Sequence, residues 1–388
     1  MKEIIVMMVG YIMKDKNMKL YTVGFFLLFC FLFGGDIREE LERAGKNKSN
    51  IQKAMDIVPN SQRAGMEWLI KHMPDHDLKI VSSSFLLDNC ELAYNVVKKS
   101  SWGREIPDSI FFEYVLPFGS LNERRDNWRR DFYNRFYSLI KNASSAYEAV
   151  TILNNTMFEM VGVKYSTKRP KADQSPYESM EAGLASCTGL SILLVDACRS
   201  IGVPARFVGT PMWYNNTGNH SWVEIWDDGW HFTGAAEPTG NDLNKVWFSR
   251  QASRAVEGHP KYGIYAATWG KSELHFPMDW LPDVKIYNAM DVTENYTKYV
   301  DDNLVPIQIR AIDSNGNRKP VAVTVNGGDN FNFEGMSKSE ACDINDHLTL
   351  MLPKGKSFTI KTEGDEQRIS VTKEKLISLS LLTAGGLD

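Results

Sequence analysis

An α+β fold is predicted: a helical first third, a core in which one helix packs on an antiparallel sheet, and a closing β-sandwich. Three observations carry that reading. Residues 37–150 repeat apolar side chains at helical intervals. Residues 187–233 pass from a helical period to a strand hairpin, and several short alternating runs separated by turn residues follow residue 295. The parts are drawn as a leader at 1–35, a helical region at 36–144, a core at 145–295 and a sandwich at 296–388. At 388 residues, 43% hydrophobic and 24% charged, the chain has room for two or three domains. A net charge of −4 shows no basic excess, and no Lys/Arg cluster reads as a nucleic-acid footprint.

The leader comes first. Lys14, Lys16 and Lys19 precede an uncharged run of fifteen, Tyr21 to Gly35, which has the form of a secretory signal and is short for a membrane span. Met18 is an alternative start, Gly34-Gly35 a cleavage site, and Cys30 a lipidation site flanked unfavourably by Phe29 and Phe31; an uncleaved anchor is a further alternative. The expected location is the periplasm or cell surface, with a possible membrane tether through this segment. In the helical region Trp128, Phe132, Phe136 and Ile140 recur every four residues and read as core, while Arg124, Arg125, Arg129, Arg130 and Arg135 read as a solvated face. Pro59 and Pro74 break the earlier helices.

In the core, Leu190, Leu193, Leu194, Ala197, Cys198 and Ile201 share one helical face, and Gly202 with Pro204 ends the helix. Cys187 then stands in the first turn, where unpaired N–H groups and the macrodipole favour a thiolate. His220–Trp226 and Trp230–Thr233 read as paired strands about an Asp228-Gly229 two-residue turn. Continued, that register sets 227 opposite 230, His231 opposite Trp226, and His220 opposite Glu237 on one face, roughly 5 Å apart. Thiol, imidazole and carboxylate in this order make a nucleophile, a base and an orienting group.

These residues resemble the transglutaminase-like superfamily in four motifs: Cys187-Thr-Gly, Gly202-Val-Pro-Ala-Arg206, His220-Ser-Trp-Val-Glu224, and Trp230 through Glu237-Pro-Thr239. The resemblance spans about residues 145–250. It implies a papain-like core that works on amides through an acyl-enzyme, with Cys187 as nucleophile, His220 as base and Glu237 as third member. Where the family has Asp after a shorter spacer, this chain has Glu after Gly-Ala-Ala. Of the superfamily's activities, hydrolysis by a protease or amidase is expected over crosslinking, on a protein or peptide substrate; a scaffold that keeps the core without catalysis is the alternative.

An oxyanion hole needs the Cys187 amide and a second donor. Gln174 is the candidate by loose analogy with papain-like enzymes, and reads equally as a solvent-facing loop residue. Trp213, in the turn-rich loop 211–219, is read either as a wall of the substrate cleft or as core cover. Cys90, Cys187, Cys198 and Cys342 are scattered, so their spacing indicates no zinc site, and a Cys90–Cys342 disulfide is the one pairing considered. The chemistry needs no metal or nucleotide. Beyond 295 the strands resemble Ig-like or carboxypeptidase-regulatory-like modules and carry no evident chemistry.

Overall fold

The computed structural model describes residues 37–297, 303–327 and 331–381. The signal, Met18 and Cys30 readings lie outside these residues. No helix among the described residues is long and apolar enough to cross a membrane.

Helices come first in the chain, as their apolar spacing requires. Lys48–Ile57 stops just before Pro59, and Arg63–His72 stops just before Pro74, because proline removes a backbone donor and turns the preceding residue out of the helical region. The helices between 38 and 114 close over one apolar cluster that includes Ile51, Met66, Leu86 and Cys90. Arg129–Ile140 turns its stripe elsewhere. Trp128, Phe132, Phe136 and Ile140 are buried in the central cluster, together with Leu193, Leu194 and Cys198 of the helix Cys187–Ser200.

Two of the five arginines do not follow the solvated-face reading. Arg129 is 2% exposed. Its guanidinium donates to Asn89 Oδ1 and to the carbonyls of Val115, Leu116, Pro117 and Arg199. Arg125 is buried against Asp77 and Glu123. The charged groups are tolerated inside because carbonyl and carboxylate acceptors meet their donors. Arg199 makes the reciprocal link, donating to the carbonyls of Tyr114, Pro117, Gly119 and Ala205. The helical lead-in is thus hydrogen-bonded to the helix that starts at Cys187.

That helix packs on a six-stranded antiparallel sheet. Its strand order is Trp230–Thr233, His220–Trp226, Ala205–Thr210, Tyr265–Thr268, Asn288–Asp291 and Leu274–His275. Period-two alternation sorts the His220 strand into two faces. Val223 and Ile225 join the helix-side cluster, whereas Trp222 lies in a second cluster with Trp213 and Phe248. On that second face Arg206 and Glu224 are cross-strand partners and form a buried ion pair at 2.6 Å. Tyr296 donates to the other Glu224 oxygen, and the Arg206 guanidinium lies 3.6 Å from the Trp230 ring centroid. The two motif residues therefore act as an internal tie beneath the site.

The hairpin register differs by one from the two-residue-turn prediction. Trp226 pairs with Trp230 and Ile225 with His231, so the loop has three residues, Asp227 to Gly229, with Asp228 at φ 52°. Asp tolerates that left-handed backbone better than most residues, and the extra loop position shifts every pair.

The last quarter of the chain forms two sheets that share one apolar core, including Val305, Ile307, Val323, Leu352, Ile360 and Ile377. One sheet has four strands and the other three, the latter with Lys375–Ser380 parallel to Leu304–Ile312. Cys90 and Cys342 are free thiols. Cys90 lies inside the first helical cluster and Cys342 in a loop of the last domain, so the considered disulfide does not form.

Candidate active site

Cys187 opens its helix. Ser186 is the N-cap: its hydroxyl oxygen accepts from the Gly189 amide at 3.1 Å, and the hydroxyl donates to the Ala172 carbonyl at 2.6 Å. The cap fixes where the helix begins and so fixes the thiol at its positive end. Thr188 and Ser221 hydroxyls meet at 3.2 Å, fastening this first turn to the strand that carries His220.

His220 is 2% exposed and stands at the start of its strand, opposite Thr210. Aromatic rings pack around it. Trp247 and Phe248 have centroids 4.9 and 4.8 Å from the imidazole, and Trp222 and Trp213 lie at 6.0 and 6.2 Å. Trp213, 2% exposed, thus belongs to the packing behind the base and not to the cleft wall.

Glu237 reaches the imidazole by a different route from a cross-strand pair. The strand stops at Thr233, and the chain turns through Gly234 to Glu237, closed by the Glu237 amide on the Gly234 carbonyl. Asn154 clamps that turn: its amide group donates to Thr233 Oγ1 and the Gly234 carbonyl and accepts from the Ala236 amide. Ala236 adopts φ 61°, and Glu237 swings back so that Oε2 lies 3.5 Å from His220 Nε2. The same oxygen accepts from Trp247 Nε1 at 2.8 Å. Gly234 leaves room for that position, since a Cβ there would overlap the Glu237 carboxylate where it stands.

The structure brings sulfur, imidazole and carboxylate together. Cys187 Sγ, a His220 ring nitrogen and an Asp343 carboxylate oxygen all lie within 4.8 Å of one another. Burial favours a neutral imidazole. The Glu237 charge first, then the polar contacts of Cys187 and Glu237 with the ring and the Asp343 charge, outweigh it, and His220 is raised well above 6.5. An imidazolium stabilised in this way is the counterion that a thiolate needs.

Gln174 is 1% exposed, and its Nε2 donates to the Glu178 and Leu184 carbonyls at 3.3 and 3.0 Å. Its amide hydrogens brace the loop ahead of the nucleophile instead of facing an acyl group. His231 is held by Asn244 and the Asp227 carbonyl, edge-on to Tyr147, and plays no part in the site.

Three neighbours were not read from the sequence. Trp247 and Asn154 bear on Glu237 from ten residues after it and eighty-three before it, with no local motif to flag either. Asp343 comes from the sandwich domain: its Oδ2 lies 3.7 Å from His220 Nδ1. A cavity of about 720 Å³ beside the site is lined by Tyr165, Leu190, Glu237, Trp247, Cys342 and Asp343, among others.

Residues 135–234 match the model of the transglutaminase-like superfamily. No curated protein matches the chain. Among solved structures it is similar to a candidate cysteine protease from Cytophaga hutchinsonii, 18% identical, with 37% of this chain and 47% of that one covered, at a TM-score of 0.28. It is also similar to a candidate protease from Parabacteroides distasonis, 9% identical, with 61% and 36% covered, at a TM-score of 0.26. The chain therefore spans about half or less of the length of either, and such partial likenesses carry no argument about this one. The matched segment begins within the helix Arg129–Ile140 and ends one residue past Thr233, so it holds Cys187 and His220 but stops short of Glu237.

Proposed function

We propose that this chain is a cysteine hydrolase that cleaves an amide bond of a protein or peptide. The observation that carries the reading is one imidazole between a helix-N-terminal thiol and a carboxylate: Sγ within 4.8 Å of the ring on one side, Glu237 3.5 Å from Nε2 on the other. The Cys187 thiolate adds to the amide carbonyl, and the oxyanion faces the Cys187 amide and the other first-turn N–H groups that lack helical acceptors. The C–N bond breaks as the His220 imidazolium gives its proton to the leaving amine, and a thioester remains. Water then attacks with His220 as base, the C–S bond breaks, and acid and thiol are released. Glu237 holds the ring and supports its charge throughout. An amine in place of water would give transfer; hydrolysis is favoured because the chemistry needs no second substrate site. The apolar leader supports export to the periplasm or cell surface, where the substrate would be met.

The test is iodoacetamide labelling across pH with the labelled cysteine mapped, followed by digestion of a peptide library. Rapid labelling of Cys187 well below pH 8, slowed in His220→Ala, and library cleavage abolished in Cys187→Ala are expected. Labelling no faster than a free thiol, together with no cleavage, would leave only the inactive-scaffold reading.

A further inference from the structure

The hydrolytic scheme asks nothing of Asp343 beyond the smallest share of the charge that holds the imidazolium. Glu237 already serves Nε2, and Nδ1 is the nitrogen left for the thiol. A second carboxylate beside that nitrogen adds a negative charge where a thiolate must form. Its placement is nonetheless built. Asp343 is 2% exposed, and its Oδ1 accepts from the Asn345 amide at 2.8 Å, which leaves Oδ2 aimed at His220. The loop is pinned from behind by buried Arg318, which donates to the carbonyls of Cys342, Asp343 and Asp346. From the front it is pinned by Tyr165, whose hydroxyl oxygen accepts from the Ile344 amide, and by Asn345, which donates to the Asn219 carbonyl.

The resulting trio is a thiol, an imidazole and a carboxylate from three separate segments and two domains, with ligand atoms within 4.8 Å of one another. Both ring nitrogens of the buried His220 lack a hydrogen-bond partner of good geometry. Tetrahedral zinc, with bonds of about 2.0–2.3 Å, separates its ligands by roughly 3.3–3.7 Å. The His220–Asp343 separation of 3.7 Å is within about 0.4 Å of the edge for a nitrogen and an oxygen ligand. Rotation of the partly exposed Cys187 side chain supplies the rest. The surroundings also match those of metal sites: a carboxylate, Glu237, stands behind the histidine, and a backbone amide holds the spare oxygen of the aspartate.

We propose that Cys187, His220 and Asp343 form a three-ligand site for a divalent transition metal, with Zn2+ the best fit to this donor set, and that the bound metal holds the enzyme inactive. Zn2+ takes the thiolate, the neutral imidazole and the carboxylate, releasing the one proton that the thiolate–imidazolium pair shares, while the imidazole keeps its other N–H toward Glu237. The nucleophile and the base are both consumed, and the sandwich domain is joined to the core through the metal. The fourth position is left for water. The inhibition rests on the cysteine-hydrolase reading; the metal site does not.

The experiment uses the full, untagged chain, reduced and stripped of metal, titrated with Zn2+ against a chromophoric chelator while Cys187 labelling is followed. One equivalent is expected to bind, to slow labelling at least ~100-fold because the coordinated thiolate is no longer free, and to be reversed by EDTA. Asp343→Asn and Asp343→Ala should weaken binding at least ~10-fold, on the scale of losses when a residue supporting a metal site is changed, while in EDTA Cys187, with Glu237 still behind His220, labels faster than a free thiol. With Co2+ the parent should show a thiolate charge-transfer band that both variants weaken. Zn2+ bound equally tightly by the Asp343 variants, or one equivalent leaving labelling unchanged, overturns the proposal. Asp343-dependent binding to a protein whose metal-free thiol labels slowly supports the metal site and removes the hydrolase reading.

Discussion

Glu237→Gln keeps the shape of the third site residue and removes its charge. The Oε2–Nε2 separation is 3.5 Å. Coulomb's law at that distance gives about 5 kcal/mol for an effective dielectric of 20 and about 1 kcal/mol for that of water. Glu237 is partly exposed, with 18% of its side chain accessible, so the upper figure is a bound. At 1.36 kcal/mol per pKa unit the imidazolium loses about 1–3 units of support. The assay is a long-range 1H–15N titration of the histidine rings, seven in the chain, with His220 assigned by its absence in His220→Gln. The parent His220 should titrate well above 6.5, and the variant should fall by at least one unit. Cys187 labelling should match the parent well below the variant's lowered His220 pKa and fall behind it between the two His220 values, because only there has the variant lost the imidazolium that supports the thiolate. A His220 titration unmoved by Glu237→Gln would refute the assignment of Glu237 as the supporting charge and leave Asp343 as the dominant carboxylate.

Gly234→Ala should reproduce the direction of that effect without altering any charge, since the new methyl displaces the Glu237 carboxylate; the same titration checks it, and an unchanged His220 would show that the turn can relax. Arg129→Met leaves the Asn89 side chain and four carbonyls short of a buried donor, and at about 1–3 kcal/mol for each group left unmet the total should be at least ~3 kcal/mol in urea unfolding. Because the folded His220 pKa is raised, its contribution to stability is complete below the unfolded value near 6.5 and is lost as pH rises through the folded value. The melting temperature of the parent should therefore fall over that interval, relative to the slope shown by His220→Gln.

What the sequence made legible was local. The nucleophile helix is read from its apolar spacing, with Cys187 in the first turn and its end at Gly202, because a left-handed glycine acts within one turn; the structure adds Ser186 as its cap. The aromatic stripe of residues 128–140 is buried as its spacing requires. Errors came where a local rule was extended over distance. Asp228-Gly229 is a turn signal, but a turn of three residues shifted the pairing by one, and a strand that ends at Thr233 cannot carry a register to 237. Glu237 still meets His220 because Asn154, on another helix, clamps the turn. Nothing near Glu237 in the chain announces that clamp. The arginines show the same limit: periodicity places Arg129 opposite the stripe, but the carbonyls of 115–117 and 199 meet its guanidinium there and the position is interior. Asp343 lies 123 residues past His220 in a domain whose sequence carries no motif, so only the folded arrangement joins them.

The sandwich bears on the site at more than Asp343. Tyr214 and Asn215, in the loop leading to the His220 strand, both hydrogen-bond to Glu374, and the Asn219 carbonyl accepts from Asn345. Each contact falls within six residues of the base, on the side from which the loop enters the strand. Deleting the sandwich would therefore remove more than a remote module: it would uncover an imidazole that is now 2% exposed, release the loop that orients it, and withdraw one carboxylate of the two that face it. Loss of activity on truncation cannot by itself distinguish a substrate-docking domain from a part of the site. Point changes do so. Glu374→Ala frees the loop while leaving Asp343 in place, and Asp343→Asn alters the charge while leaving the loop held, so slowed labelling in the first and weakened Zn2+ binding in the second separate the two roles of one domain.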